Sequence, residues 1–268
     1  MITKGEIFNQ LKSMGAPQDK VVIVHSSLKA VGEVEGRAQG LLDVFIEYFT
    51  KNGGVLCIPA HTWHNFKKDI TLDKNSDDTC VGTLSKIAIL DKRGRRTSNP
   101  THSLMLFGNK EKIAKMIDAD EKVNKPTDKN GAYSKIEYVL LLGVGQEKNT
   151  YLHAVEEIIG VSNRLSSEPK IMKIKDYNGK IIDRPFYYIE EGDLGDVSTR
   201  FPKYEPAFRH YNGIVDGFIG NAKTQLCNAK ILASVMSLIR KNSGGIELLS
   251  DNVPLEEKWY KGEDYGRT

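Results

Sequence analysis

With 268 residues, the chain has the length of one large domain or two unequal ones and can bury a sizeable core. Its 40% hydrophobic and 27% charged residues are ordinary globular composition, which excludes disordered and fibrous classes. A net charge of +3, from 38 basic and 35 acidic residues, is too balanced for a nucleic-acid binder yet would not repel an anionic cofactor.

Residues 3 to 14 carry Ile7, Phe8, Leu11 and Met14 near helical spacing, which predicts a short amphipathic helix ended by Gly15 and Pro17. "VVIVH" at 21–25 follows as a fully buried strand. Between Arg37 and Thr50 the apolar positions Leu41, Leu42, Val44, Phe45, Tyr48 and Phe49 recur at the 3.6 period, and "KNGG" stops that helix. "VLCIPAH" at 55–61 is the next strand. This strand–helix–strand order implies a right-handed parallel crossover. "HSSL" and "PAHT" should therefore leave one sheet at the same carboxyl edge, where open α/β sheets bind ligands.

Residues 62 to 80 form a polar excursion, predicted as a substrate-facing loop rather than a regular element. "GTLSKIAILDK" predicts a helix, "HSLMLFG" a strand and "NKEKIAKMIDADEKV" a helix. "YVLLLGVG" is a third buried strand, and Asn149 or Thr150 can cap the helix within "NTYLHAVEEIIG". Beyond Val161 the pattern changes. "IMKIKDYNGKIIDRPFYYI" reads as two alternating strands around Asn178-Gly179, a strong hairpin signal. "IGNAKTQLCNAKILASVMSLIRKN" reads as one long helix. The expected fold class is α/β, a central mostly parallel sheet flanked by helices. Residues 1–165 and 200–268 form that core, and residues 166–199 a smaller insertion with an antiparallel β-hairpin near 170–190.

Cys57, Cys80 and Cys227 are far apart and no CxxC occurs, which fits free thiols in a reducing compartment. The N-terminus lacks the apolar core of a signal peptide, and no run reaches the ~20 apolar residues of a membrane span. A soluble, cytoplasmic protein with neither nucleic acid nor membrane as partner is expected.

Five of the six histidines, His25, His61, His64, His102 and His153, fall at ends of elements beside small polar residues. Metal chemistry fits poorly. His61 and His64 are followed by Asp69, Asp73, Asp77 and Asp78 on a polar loop, whereas zinc needs three or four ligands on rigid elements. Serine hydrolase chemistry also fits poorly, because "HSSLK" lacks both glycines of the GxSxG elbow. Anion binding fits better. Hydroxyls and free N–H groups where a strand turns suit a pyrophosphate. Ser26, Ser27, Leu28, Thr101, His102, Ser103 and the "NGAYSK" turn at 130–135 offer them.

Taken in order, "VIVHSSLKAVGEVEG", "GGVLCIPAHTW", "GTLSKIAIL", "SNPTHSLMLFG", "LLLGVGQEKNTYLHAVEE" and "VDGFIGNAKTQLCNAK" resemble the aminoglycoside 3-N-acetyltransferase family over roughly residues 20–235. The resemblance implies an acyltransferase that moves an acetyl or related short acyl group from coenzyme A to an amino group on a sugar, with no metal. It implies that His25, Ser26, Ser27, Leu28, Thr101, His102, Ser103 and the turn of Gly131, Ala132 and Tyr133 hold coenzyme A. It makes His153 the catalytic histidine and Glu191 and Asp193 the acidic pair that follows it. Trp63, His64, Asp69 and Glu157 are expected on the acceptor side.

One departure bears on the acceptor. Family members that act on aminoglycosides usually carry an aspartate just after the tryptophan of the second motif, and here that position is His64. The chain also resembles sugar-biosynthesis members, such as the anthrose-pathway N-acyltransferase, which acylate nucleotide-linked amino sugars. A dedicated aminoglycoside-resistance acetyltransferase is the alternative within the family, and a non-catalytic nucleotide-binding module the alternative outside it.

Aminolysis of a thioester needs an unprotonated amine and a proton acceptor, and histidine suits that task near neutrality. A carboxylate on the far ring nitrogen would fix the tautomer. Glu191 or Asp193, about 40 residues on, is expected to supply it. Direct attack in a ternary complex requires no acyl-enzyme, with positioning supplying much of the acceleration.

Overall fold

The computed structural model describes residues 1–65, 71–76, 78–161, 164–189, 195–249 and 253–262. Its strands are β1 (Val21–Ser26), β2 (Val55–Pro59), β3 (Leu72–Asp73), β4 (Arg95–Arg96), β5 (Leu104–Gly108), β6 (Tyr138–Leu142), β7 (Lys170–Lys175), β8 (Ile181–Phe186), β9 (Ile214–Ile219) and β10 (Ala222–Asn228). Seven of them form one sheet in the order β4-β5-β2-β1-β6-β10-β9, and β3-β7-β8 form a smaller one.

The apolar run of β1 is explained by its place at the centre of the large sheet. Val21 and Ile23 pack on one face with Val55, Cys57, Val139 and Leu141; Val22 and Val24 pack on the other with Leu56, Ile58, Leu140 and Leu142. Successive side chains point to opposite faces, so a strand covered on both sides must be apolar throughout. Helices Lys4–Ser13, Arg37–Thr50 and Thr83–Leu90 cover one face. Helices Lys110–Glu121, Tyr151–Ile158, Glu205–His210 and Ala229–Asn242 cover the other.

β1 is parallel to β2, with Val21 opposite Val55, and parallel to β6, with His25 opposite Leu141. The expected parallel centre, flanking helices and separate antiparallel hairpin are all present. The strands outside that centre, β5, β4, β10 and β9, pair antiparallel.

Two expectations need correction. Residues 219–242 are not one helix. Gly220 (φ +57°) and Asn221 turn a hairpin between β9 and β10, and only Ala229–Asn242 is helical, with Asn228 Oδ1 accepting from Ile231 N–H at 3.2 Å. The alternation of buried Ala222, Thr224 and Leu226 is the strand signal, hidden next to a strongly helical run. The polar excursion is also not all loop. Leu72 is buried and pairs in parallel register with Ile174 of β7, so the hairpin recruits part of the excursion into its sheet. Residues 66–70 and 77 of that excursion lie outside the described residues.

Candidate active site

The parallel register brings the carboxyl ends of β1, β2 and β6 to one edge, and antiparallel β5 begins there. Four chain segments therefore meet: 25–28 after β1, 60–64 after β2, 99–103 before β5, and the turn from β6 into the helix Tyr151–Ile158. Gly143 makes that last turn possible. It has φ +65°, and a Cβ there would lie 2.5 Å from the Ala30 Cβ. The helix itself opens without the expected side-chain cap. Thr150 has helical dihedrals, and Asn149 instead donates from Nδ2 to Gln146 Oε1 at 2.8 Å.

Histidines dominate this edge. The His61 and His102 rings stand 4.7 Å apart, and Trp63 lies 5.4 Å from His61 and 6.0 Å from His102. His61 Nε2 is hydrogen-bonded to the Tyr133 hydroxyl at 2.8 Å, and His102 Nδ1 to Thr101 Oγ1 at 3.0 Å. Burial pulls His25 and His102 down to about 3 and His61 well below the usual histidine value; His102, His25 and His153 around it add to the effect on His61. All three imidazoles are therefore neutral at pH 7. They form an uncharged wall beside the helix Tyr151–Ile158. Among the described residues, no three His, Cys, Asp or Glu side chains converge as a metal-binding group.

His153 stands in the first turn of its helix, its ring edge-on to Phe201 with centroids 4.8 Å apart. Its Nδ1 meets Glu156 Oε2 at 3.1 Å. A helix places residues three apart on one face, so the acid was within reach in the sequence itself. Glu156 is the partner of His153 that sequence reasoning missed. Its signal is the His-x-x-Glu spacing inside "LHAVEE". With Nδ1 engaged, Nε2 is the nitrogen left to face a substrate. The carboxylates expected in this role, Glu191 and Asp193, lie outside the described residues.

A second missed residue holds the loops together. Arg96 is fully buried on β4, and its guanidinium donates to Ala60 O (2.8 Å), Ser76 O (3.1 Å), Asp78 O (3.1 Å) and Ser103 Oγ (3.0 Å). Burial pulls it down to about 10, still a cation at neutral pH. It ties the end of β2 to the excursion and so fixes the stretch that carries Trp63 and His64. His64 Nε2 lies 3.1 Å from Asp78 Oδ2, a half-exposed pair near Trp63, which is itself 45% exposed.

The remaining expected residues divide by environment. Ser26, Ser27 and Leu28 are half-buried at the edge, and the two serine hydroxyls make no hydrogen bond among the described residues, so they are available to a ligand. His25 is buried beside them, its Nε2 without a partner among the described residues. Thr101 is buried in a turn closed by Asn99 Oδ1, which accepts from the His102 N–H at 2.8 Å. Ser103 is buried, its hydroxyl donating to Ala60 O at 2.7 Å. Ala132 and Tyr133 are buried as well, with Gly131 opening their turn. Glu157 is ion-paired with Lys125, one helical turn from His153. Asp69 lies outside the described residues.

A model of the aminoglycoside 3-N-acetyltransferase family matches residues 23–239. The chain is 23% identical over 283 residues to the SPbeta prophage-derived aminoglycoside N(3')-acetyltransferase-like protein YokD of Bacillus subtilis strain 168, across 98% of this chain and 93% of that protein. Its fold is similar to that of a histidine-to-alanine mutant of aminoglycoside acetyltransferase AAC(3)-IVa in complex with a gentamicin. There the TM-score is 0.75 at 21% identity, covering 91% of this chain and 90% of that one. It is also similar to AAC-IIIb in a binary complex with CoASH, with a TM-score of 0.72 at 16% identity over 89% and 96% of the two chains.

Proposed function

The chain belongs to the aminoglycoside 3-N-acetyltransferase family, and on that footing we propose that it transfers an acetyl or related short acyl group from coenzyme A to an amino group of an amino sugar, with His153 as base. The observation that carries this reading is the His153–Glu156 contact at the shared strand edge. Coenzyme A enters as the acyl donor because the fold neighbour AAC-IIIb is described with CoASH, and the free hydroxyls of Ser26 and Ser27 at this edge suit its phosphates.

The chemistry follows from the two ring nitrogens. Nδ1–H donates to the Glu156 carboxylate, which fixes the tautomer and leaves a lone pair on Nε2. The acceptor nitrogen attacks the thioester carbonyl, the C–S bond breaks, and coenzyme A leaves as the thiolate. Nε2 takes the proton shed by the attacking nitrogen and can return it to that thiolate. Glu156 stabilises the imidazolium in between. Electrons and protons balance without an acyl-enzyme. The neutral wall of His25, His61 and His102 excludes water without placing a like charge beside the imidazolium.

His64 in place of an acid favours a nucleotide-linked amino sugar over a polycationic antibiotic. Asp78 favours the second reading, because a carboxylate 3.1 Å from His64 restores an acid near Trp63 that can grip an ammonium group. A thiol-release assay with acetyl-CoA and longer acyl-CoAs decides between them. It is run against an aminoglycoside panel and against nucleotide-linked amino sugars. Turnover confined to nucleotide sugars is the expected result. Efficient turnover of aminoglycosides alone would show that Asp78, not His64, sets the acceptor.

A further inference from the structure

The carboxylate that meets His153 is itself held. Arg164 is buried, and its Nε donates to Glu156 Oε1 at 2.8 Å. Its Nη2 forms an ion pair with Glu247 Oε1 at 3.0 Å, and Arg240 Nη1 lies 3.5 Å from Glu247 Oε2. A chain of alternating charges thus runs from the imidazole through Glu156, Arg164 and Glu247 to Arg240 on the helix Ala229–Asn242.

The groups that face this network among the described residues are few. Glu156 faces His153 from its own helix and Arg164 from the segment after it, with Glu247 and the Tyr204 hydroxyl at longer range. His153 faces Glu156, the Phe201 ring, and the neutral His61 and His102. A carboxylate with one imidazole and no other partner can turn either oxygen to it. A guanidinium on Oε1 removes that freedom and directs Oε2 to Nδ1. It also supplies the countercharge without which a buried carboxylate tends to take up a proton and cease to orient a base.

We propose that Arg164 is a positioning residue for the acyl transfer. Held between Glu156 and Glu247, it fixes the Glu156 carboxylate in the orientation and charge in which it aims His153 Nε2 at the acceptor amine. It touches neither substrate. The inference rests on the reading of His153 as the base.

The test uses the full chain. Arg164→Gln is expected to lower kcat by about tenfold to a hundredfold, the cost of misplacing a catalytic group by about an ångström. KM for acyl-CoA and acceptor should be largely kept. The acidic limb of the kcat/KM profile should move, because the charge on the histidine's partner has changed. Arg164→Lys keeps the charge without the planar fork and should recover part of the loss. In a Glu156→Gln background, removing Arg164 should cost nothing further, since the group it acts through is gone.

Arg164→Gln leaves Glu156 and Glu247 buried without their shared cation, and that chain can fail to fold. In that event Arg164→Lys, with folding checked by circular dichroism, carries the same cycle with Glu156→Gln. Coupled losses support the proposal. Wild-type kcat in a folded Arg164 variant, an unmoved acidic limb in folded Arg164→Gln, or losses that add to those of Glu156→Gln overturn it. Full activity of His153→Gln would overturn the base itself, and that result is read separately from the Arg164 cycle.

Discussion

His153 stands in the first turn of a helix, where many histidines only satisfy a local polar group. Its contact with Glu156, at 3.1 Å, is what gives the ring a defined tautomer. The other histidines of the edge have a different consequence, for stability. His25 and His102 sit at about 3 and His61 is well below its usual value, against an unfolded value of about 6.5. Between those limits the unfolded chain binds more protons than the folded one. Their contribution to stability is therefore complete above about pH 6.5 and is lost as pH falls toward 3. Each such histidine adds a slope of about 1.4 kcal/mol per pH unit well inside that window. Urea unfolding at pH 7, 6 and 5 should show the loss, and His102→Gln should flatten it by about one histidine's slope. A slope unchanged by His102→Gln would mean that His102 is protonated in the folded state.

At the scale of elements, the sequence was most legible where one period dominated. The helix Arg37–Thr50 carries the apolar repeat Leu41–Phe49 that predicted it, and the hairpin around Asn178-Gly179 sits where its turn signal lies. β9 and β10 were not legible, because β10 runs without a break into the helix Ala229–Asn242, whose periodicity spreads over its neighbours. β3 was hidden for another reason: two residues carry no period, and only pairing with β7 defines them. The site divided in the same way. The convergence of the strand ends on one edge was legible from topology. The contact of His153 with Glu156 was also within reach, because helical spacing places the two on one face. Arg96 and Arg164 act through contacts between distant segments, which no local pattern encodes. The turn at Gly143 offers a direct check on how β6 feeds the helix Tyr151–Ile158. Gly143→Ala combines φ +65° with a Cβ 2.5 Å from Ala30, so a loss of about 1–3 kcal/mol is expected. Chemical denaturation measures it, and a variant as stable as the parent would show that the turn has room to relax.

For the whole molecule, the fold's contribution is to converge four segments on one edge while an apolar core on each side of the sheet holds their register. Among the described residues no helix is long and apolar enough to cross a membrane. The proposed chemistry of this edge is direct transfer of an acyl group to the acceptor amine, with His153 taking the proton. Rapid-quench turnover of acetyl-CoA and an acceptor from the active panel reads that chemistry, comparing wild type with His153→Gln by intact-protein and product mass spectrometry. Direct transfer requires equal amounts of free coenzyme A and N-acetylated sugar, no acetylated protein, and a rate ~10²- to 10⁴-fold lower in His153→Gln, the span of general acid–base groups. An acetylated protein that forms and decays fast enough to account for turnover, or a His153→Gln chain that keeps the wild-type rate, would contradict it.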